Sequence, residues 1–345
     1  MDPMGGGLLS SKHHFTLLAA SSTIFRYCFC TSSGPSIRTA PSKPNIQLKK
    51  KDVTSDDIKL AMVPVSKLSS SMYNKVNMLI KYIFYSAEYN KIISENPTKT
   101  LSPRGGKPGK KREPLSDEQV SKLLDAIRNE PPYVFVMLGL YAGLRSEEIL
   151  ALQWDCVFLD HSAPYIAVQR AWYTVGNEKP VISAELKTES SRRNVPIPRC
   201  LIDCLREAKE KSVSDFVIAN PQGDPLTKGQ FRRLWNYVTR RVAKERTIYR
   251  YINGQAITHT YKPALGERCR TKKDLIYSLD FPVTAHQLRH TYITNLIYAG
   301  IDPKTVQYLA GHKTCEVTMD IYAKAKYNRP EELYGVINGA LEAEI

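Results

Sequence analysis

The stretch that decides the fold runs Thr284-Ala-His286-Gln-Leu-Arg289-His290-Thr and is followed by Leu309-Ala-Gly-His312 and by Asp320-Ile-Tyr322. It gathers histidine, arginine and tyrosine side chains into the 37 residues from His286 to Tyr322. His286 and Arg289 are three residues apart, so on a helix they would share one face. The cluster therefore offers a proton-transfer group, a guanidinium fork for a phosphate and a phenol that can act as a nucleophile.

His286 and His290 are four residues apart, which is also the spacing of a zinc protease motif. In that motif a glutamate directly follows the first histidine and acts as general base, whereas Gln287 stands there in this chain. Arg289 inside the motif would also repel a cation. The pattern therefore favours a phosphate site over a metal site, and it predicts that His290 is a hydrogen-bonded structural histidine.

A second arginine stands far upstream, in Ala142-Gly-Leu-Arg145-Ser-Glu-Glu148. An arginine that precedes two acids is most often part of a surface ion pair. With Arg289 as its partner, however, Arg145 would complete a clamp of two guanidinium groups on the non-bridging oxygens of a phosphate. Glu148 would then orient Arg145. Lys187 lies in a polar turn, and its own chemistry predicts only a solvated lysine.

Six residues follow one another in an order that resembles the tyrosine recombinases, or phage integrases: Arg145, Lys187, His286, Arg289, His312 and Tyr322. Enzymes of this family cut and rejoin DNA through a phosphotyrosine bond. The resemblance covers about residues 115–325 and, more loosely, 52–100. It implies that all six residues are catalytic, with Tyr322 as the nucleophile, Lys187 protonating the departing 5′-oxygen and His312 donating a hydrogen bond to the phosphate.

The resemblance also implies a function and its partners. The chain would be a site-specific DNA recombinase with a 3′-phosphotyrosyl intermediate, and it would need neither a metal nor another cofactor. Its partner would be double-stranded DNA, and four copies of the chain would assemble as a homo-tetramer on two DNA sites. DNA-bending accessory proteins could take part as well. Three alternatives stay open: a strand transferase like the type IB topoisomerases, a catalytically inactive DNA-binding protein and, least favoured, a metallohydrolase.

The charge of the chain points to the same partner. The formal net charge of the 345 residues is +15, as a surface that binds a polyanion would require. Between positions 228 and 274 there are thirteen Lys or Arg residues against three acids, with tyrosines interleaved, as in a loop or helix end that faces DNA. The residues predicted to contact DNA are Lys110, Lys111, Arg112, Arg232, Arg233, Arg240 and Arg241.

The predicted fold is mainly α with a small antiparallel β-sheet (α+β). Helices are expected over 201–211, 228–244, 285–298 and 303–309, and strands over 165–168, 181–182 and 193–197. The predicted organisation is an atypical or disordered segment 1–50, a partial helical core-binding domain (SAM-like) 51–100, a basic linker 101–114, a catalytic domain 115–330 and a tail 331–345 that docks on a neighbour.

Two predictions concern the location of the protein. No run of apolar residues is long enough to suggest a membrane span, and scattered cysteines indicate neither zinc binding nor disulfides. These features predict a cytoplasmic, nucleoid-associated protein without a membrane partner. Because segment 1–50 is poor in acids and rich in serine, a transit peptide that directs the chain to an organelle is the alternative.

Overall fold

The structure is a computed structural model, and it describes residues 53–102, 104–109, 112–174, 179–185, 191–252, 255–269, 272, 275–327 and 334. The predicted segment 1–50 lies outside the described residues, as does the tail 331–345 apart from Tyr334. The chain divides into two compact units, Met1–Lys110 and Lys111–Ile345, and the division falls within the stretch 101–114. Among the described residues no helix is both long and apolar enough to cross a membrane.

The described part of the first unit is built on two helices, α1 (Ser55–Ser66) and α2 (Ser70–Tyr89). Thr54 starts α1 with a capping box, because its side chain accepts a hydrogen bond from the Asp57 backbone N–H while the Asp57 carboxylate accepts one from the Thr54 N–H. A small core joins the helices and consists of Ile58, Met62, Tyr73, Val76 and Leu101.

The other helices of the described residues lie in the second unit. Ser116 and Gln119 form the predicted capping box at the start of α3. The helices of this unit are α3 (Asp117–Ile127), α4 (Tyr133–Tyr141), α5 (Ser146–Leu150), α6 (Arg199–Glu210), α7 (Lys228–Thr239), α8 (Ala285–Tyr298), α9 (Pro303–Ala310) and α10 (Glu316–Tyr327). Helix α4 is apolar on all sides and is buried in the main core, where α8 packs against it.

The described strands of the second unit pair in antiparallel fashion. They are β1 (Val157–Phe158), β2 (Tyr165–Val168), β3 (Ala171–Tyr173), β4 (Val181–Ser183), β5 (Arg193–Pro196), β6 (Arg246–Ile252) and β7 (Gln255–Tyr261). The α+β class is confirmed, but the described residues form three small sheets instead of one: β1-β2-β5, β3-β4 and β6-β7. Strand β4 pairs with β3, whereas β5 pairs with β2.

The basic region after α7 differs from its prediction. The helix expected over 228–244 ends at Thr239, and β6 and β7 form a long hairpin with pairs from Arg246↔Tyr261 to Ile252↔Gln255. The expectation of a loop or helix end was therefore wrong. A signal for the hairpin was present in the sequence, since Asn253-Gly254 between two stretches rich in β-branched and aromatic residues favours a two-residue hairpin turn.

Candidate active site

Arg145 lies at the turn between α4 and α5, and its side chain is about one-third exposed. The turn requires Gly143, which has a φ of +59° and packs so closely on the Tyr292 ring that a Cβ would collide with it. The Arg145 Nη1 donates to Glu148 Oε1 at 2.7 Å, and its backbone N–H donates to Glu148 Oε2 at 2.8 Å. Its Nη2 donates to the Gly311 carbonyl at 2.5 Å. Arg145 is thereby fixed on two sides while part of it still reaches solvent.

Glu148 is the buried carboxylate that fixes the Arg145 side chain. The sequence analysis predicted that it would orient this arginine. Besides Arg145 it also accepts from Arg193, from Nη1 to Oε1 at 3.0 Å and from Nη2 to Oε2 at 2.8 Å. Burial alone would raise the pKa of Glu148, but the hydrogen bonds from Arg193 and the charges of Arg193 and Arg145 lower that pKa to about 2. The carboxylate is therefore ionised at neutral pH.

Arg289 is held by two backbone carbonyls. It lies on α8, is 2 % exposed, and donates from Nη1 to the Gly143 carbonyl at 2.6 Å and from Nη2 to the Ala310 carbonyl. Burial, followed by the charge of Arg145, lowers the pKa of its guanidinium to about 9, so the group is still protonated at neutral pH. Arg145 and Arg289 therefore bond to adjacent carbonyls, those of Gly311 and Ala310, at the end of α9.

His312 follows that helix end. Gly311 closes α9 in the left-handed conformation, with a φ of +59°, and turns the chain so that His312 Nδ1 lies 2.9 Å from Thr318 Oγ1. Burial, and then the positive charges of Arg289 and Arg145, lower the pKa of His312 to about 4. The ring is therefore neutral at pH 7, and its Nδ1 is engaged by Thr318.

The other predicted residues are placed as follows. His286 is exposed on the first turn of α8, and its charge adds to the effects that lower the pKa of His312. Tyr322 is partly buried on α10 and packs against a small core contributed by α8 and α9. Lys187 lies outside the described residues. His290 is half-buried on α8.

Arg193 is the residue of this site that sequence reasoning missed. It was assigned only to a strand, yet it is 4 % exposed and bonds to Glu148. A signal was present, because Arg193, Val195 and Ile197 alternate in the sequence and would point to one face of a strand. The two apolar members of that face predict that the arginine is also turned inward.

The candidate DNA-binding residues fall into two groups. Arg232, Arg233 and Arg240 are exposed along α7 and at its end, and Arg112 is exposed as well. Arg241 instead is 7 % exposed, and its guanidinium bonds to the Glu130 carboxylate and, at 2.8 Å, to the Tyr237 carbonyl. The two further candidates, Lys110 and Lys111, lie outside the described residues. Across the described part of the chain, no three His, Cys, Asp or Glu side chains are grouped as metal ligands.

Comparison with known sequences identifies the family of the chain. The model of the phage integrase family matches residues 113–265 and 252–329. A "Tyrosine recombinase XerC-like" protein of Caldanaerobacter subterraneus subsp. tengcongensis is 28% identical over 283 residues, which is 77% of this chain and 66% of that protein. The "ICEBs1 integrase" of Bacillus subtilis is 24% identical over 77% of this chain and 65% of its own length. The chain thus spans just under two thirds of these relatives.

Solved structures show the same fold at low sequence identity. The Tn1549 transposon integrase, in complex with a circular intermediate DNA, has a TM-score of 0.59 and 21% identity, and the match covers 94% of this chain and 95% of that one. The lambda integrase, as a tetramer bound to a Holliday junction, has a TM-score of 0.51 and 16% identity over 92% of this chain and 73% of that one.

Proposed function

We propose, since the chain belongs to the phage integrase family, that it is a site-specific DNA recombinase. The Tyr322 oxygen attacks a scissile phosphate, forms a 3′-phosphotyrosyl bond and releases the 5′-hydroxyl of the cut strand. The 5′-hydroxyl of a partner strand then attacks that bond, joins the new strand and returns the tyrosine. The energy of the phosphodiester is kept in the covalent intermediate, so the cycle consumes no nucleotide.

The observation that carries the proposal is the pair of guanidinium groups at the end of α9. Arg145 and Arg289 are fixed through neighbouring carbonyls, and the Arg289 guanidinium is positively charged at neutral pH. With Arg193 they set three positive charges around the single carboxylate of Glu148. A phosphate would offset the excess of positive charge, and its own negative charge grows in the transition state. Because the arginine donors are already oriented, they need not reorganise during the reaction.

The family match supports three further roles. Lys187 protonates the departing 5′-oxygen, His286 transfers a proton, and neutral His312 donates a hydrogen bond to the phosphate. A neutral imidazole carries one proton. When His312 Nδ1 accepts a hydrogen bond from the Thr318 hydroxyl, that proton is on Nε2, which can then donate to the phosphate. None of these steps uses a metal ion, so strand cleavage should persist in EDTA. Loss of cleavage in chelator and its recovery on adding zinc or magnesium would overturn this mechanism.

DNA would lie along the exposed arginines of the second unit, and the assembly would be a homo-tetramer on two DNA sites. Arg232, Arg233 and Arg240 supply positive charge for backbone contacts that carry no sequence information. The tetramer of the lambda integrase on a Holliday junction supports the stoichiometry. The tail 331–345 would dock on a neighbour, and DNA-bending proteins could assist. With chromosomal or mobile DNA as substrate, the protein would act in the cytoplasm at the nucleoid; a transit-peptide role for 1–50 would move it to an organelle.

The test uses the full chain and nicked suicide substrates drawn from the DNA that flanks its gene. A covalent protein–DNA adduct that resists SDS is expected, with a free 5′-hydroxyl on the released strand. A second assay, with two sites on one plasmid, separates recombination from the relaxation that a topoisomerase-like enzyme would perform. Adduct without strand exchange would support the topoisomerase-like alternative, and absence of any adduct despite DNA binding would support the inactive DNA-binding alternative.

A further inference from the structure

Arg193 is a deeply buried charge in the second unit's site. Its side chain is 0% exposed at the start of β5. The guanidinium donates from Nε to the Leu309 carbonyl at 2.8 Å, from Nη1 to the Ser191 carbonyl at 3.0 Å, and from Nη1 and Nη2 to Glu148. It therefore joins three parts of the chain that are far apart in sequence: the β5 strand, α5 and the end of α9.

Stability alone is a weak reason for such a residue. Removing an arginine from water is costly, and well-packed apolar side chains of similar volume often stabilise a core as much as a buried ion pair does. What an apolar side chain cannot do is fix the orientation of a carboxylate. In this site that carboxylate belongs to Glu148, which is itself 5 % exposed and bonded to Arg145.

The hydrogen bonds of Glu148 show how Arg193 acts on Arg145. Each carboxylate oxygen is shared between the two arginines: Oε1 accepts from Arg145 Nη1 and Arg193 Nη1, and Oε2 accepts from the Arg145 backbone and Arg193 Nη2. The plane of the carboxylate is therefore set from both sides. If Arg193 were lost, Glu148 could rotate, and Arg145 would lose the reference that fixes its guanidinium.

The turn before His312 rests on the same two side chains. A Cβ on Gly311 would lie 2.8 Å from Arg193 Nη1 and 3.3 Å from Arg145 Nη1, so the backbone of the turn packs directly against both groups. The Leu309 carbonyl, two residues before Gly311, accepts from Arg193. Arg193 therefore has geometric contact with the support of Arg145 and with the support of His312.

We propose that Arg193 is a positioning residue for strand cleavage, which holds Arg145 and the His312 turn in register through Glu148 and Leu309. The proposal rests on the proposed function. Loss of Arg193 should therefore slow the chemical step on bound DNA while leaving DNA affinity nearly unchanged, because the Nε, Nη1 and Nη2 atoms of Arg193 all donate to acceptors within the protein.

The test compares Arg193→Gln and Arg193→Lys with Glu130→Gln in the full chain. Glu130 is the matched control, because its carboxylate is the partner of Arg241, another buried arginine of the same unit. The measurements are the single-turnover cleavage rate on saturating suicide substrate, the dissociation constant for DNA and the melting temperature. Arg193→Gln should cleave about 10²-fold more slowly, the scale of a small misplacement in an active site, with DNA affinity within a few-fold. Glu130→Gln should keep the wild-type rate.

Arg193→Lys distinguishes a lost positioning role from misfolding, because lysine keeps the positive charge and much of the side-chain length. It should fold but recover little of the rate, because an ammonium cannot bond both Glu148 oxygens and the Leu309 carbonyl in one plane. Near-wild-type cleavage by Arg193→Lys or Arg193→Gln would overturn the proposal. So would equal slowing by Glu130→Gln, or a loss that follows only the folded fraction or the DNA affinity.

A measurement that needs no catalysis distinguishes this proposal from the proposed function. Amide hydrogen exchange in Arg193→Lys should accelerate in segments 143–150 and 308–314, which Arg193 joins, and stay unchanged elsewhere. In Glu130→Gln these two segments should exchange as in the wild type. If the wild type forms no DNA adduct, the proposed function fails, and unchanged exchange in both segments of Arg193→Lys would separately overturn the positioning role.

Discussion

Two groups of arginines in the second unit differ in how they are held. In the buried arginine site, Arg145, Arg193 and Arg289 each donate to a carboxylate or a carbonyl at a defined position. On the basic face of α7, Arg232, Arg233 and Arg240 are exposed to solvent. A fixed charge can stabilise a transition state because it is already oriented, whereas a solvated charge mainly attracts a polyanion and is screened by salt. The buried site should therefore control rate and the basic face should control affinity.

The largest expected effect tests whether the buried arginine site serves Tyr322 at all. Tyr322→Phe removes only the phenol oxygen, so covalent attachment to a suicide substrate should be abolished while DNA affinity stays within a few-fold. Tyr327→Phe, one helical turn and one residue further along α10, is the matched control and should form the adduct as the wild type does. An SDS-resistant adduct with Tyr322→Phe would mean that another tyrosine is the nucleophile.

The next effect concerns the two clamp residues themselves. Arg145→Ala and Arg289→Ala should each slow cleavage on saturating DNA by roughly 10²-fold or more, the usual scale for removing a donor to the transition state. Lysine in either position should restore little, because it lacks the guanidinium fork. Arg232→Ala, from the basic face, should cleave bound DNA at the wild-type rate. A wild-type rate for either clamp variant would remove that residue from the clamp.

A smaller effect tests the electrostatic side of the comparison through His312. Its folded-state pKa of about 4 is below the ordinary value of 6.5, so between these two values the unfolded chain binds more protons than the folded chain. The contribution of His312 to the free energy of unfolding should therefore be fully present above pH 6.5 and should be lost as the pH falls towards 4. His312→Gln should reduce this loss by about 1 kcal/mol, allowing for the partial exposure of the ring.

Urea unfolding at several pH values between 7.5 and 4.5 would measure the effect of His312. Arg232→Gln, which neutralises a solvated charge on the basic face, should leave the pH dependence as in the wild type. An unaltered pH dependence in His312→Gln would mean that neither burial nor the neighbouring arginines depress the pKa of this ring.

The part of the site that could be read from the sequence is the part that local signals determine. Helix α8 has the predicted bounds, and the capping box at Ser116 starts α3 as expected, because caps and apolar spacing act within a few residues. The inward orientation of Arg193 depends instead on Glu148 and Leu309, which are 45 and 116 residues away. The pairing of β4 with β3 depends likewise on the register between two strands. The apolar pattern within each strand alone does not determine that register.

The final comparison concerns two neighbouring residues that the sequence could not separate. Arg240 and Arg241 are both basic and adjacent, yet the end of α7 leaves Arg240 exposed and turns Arg241 inward onto Glu130. Arg240→Gln should remove one backbone contact, which lowers the slope of log affinity against log salt by about 0.9, and should leave stability unchanged. Arg241→Gln should instead lower the free energy of unfolding by about 2 kcal/mol, because it breaks charged hydrogen bonds, and should leave the salt slope unchanged.

DNA titrations at several salt concentrations and urea unfolding of both variants would test these two expectations. If both changed the salt slope alike, Arg241 would reach DNA after all, and the division between buried and solvated arginines would fail at the position where the two groups meet.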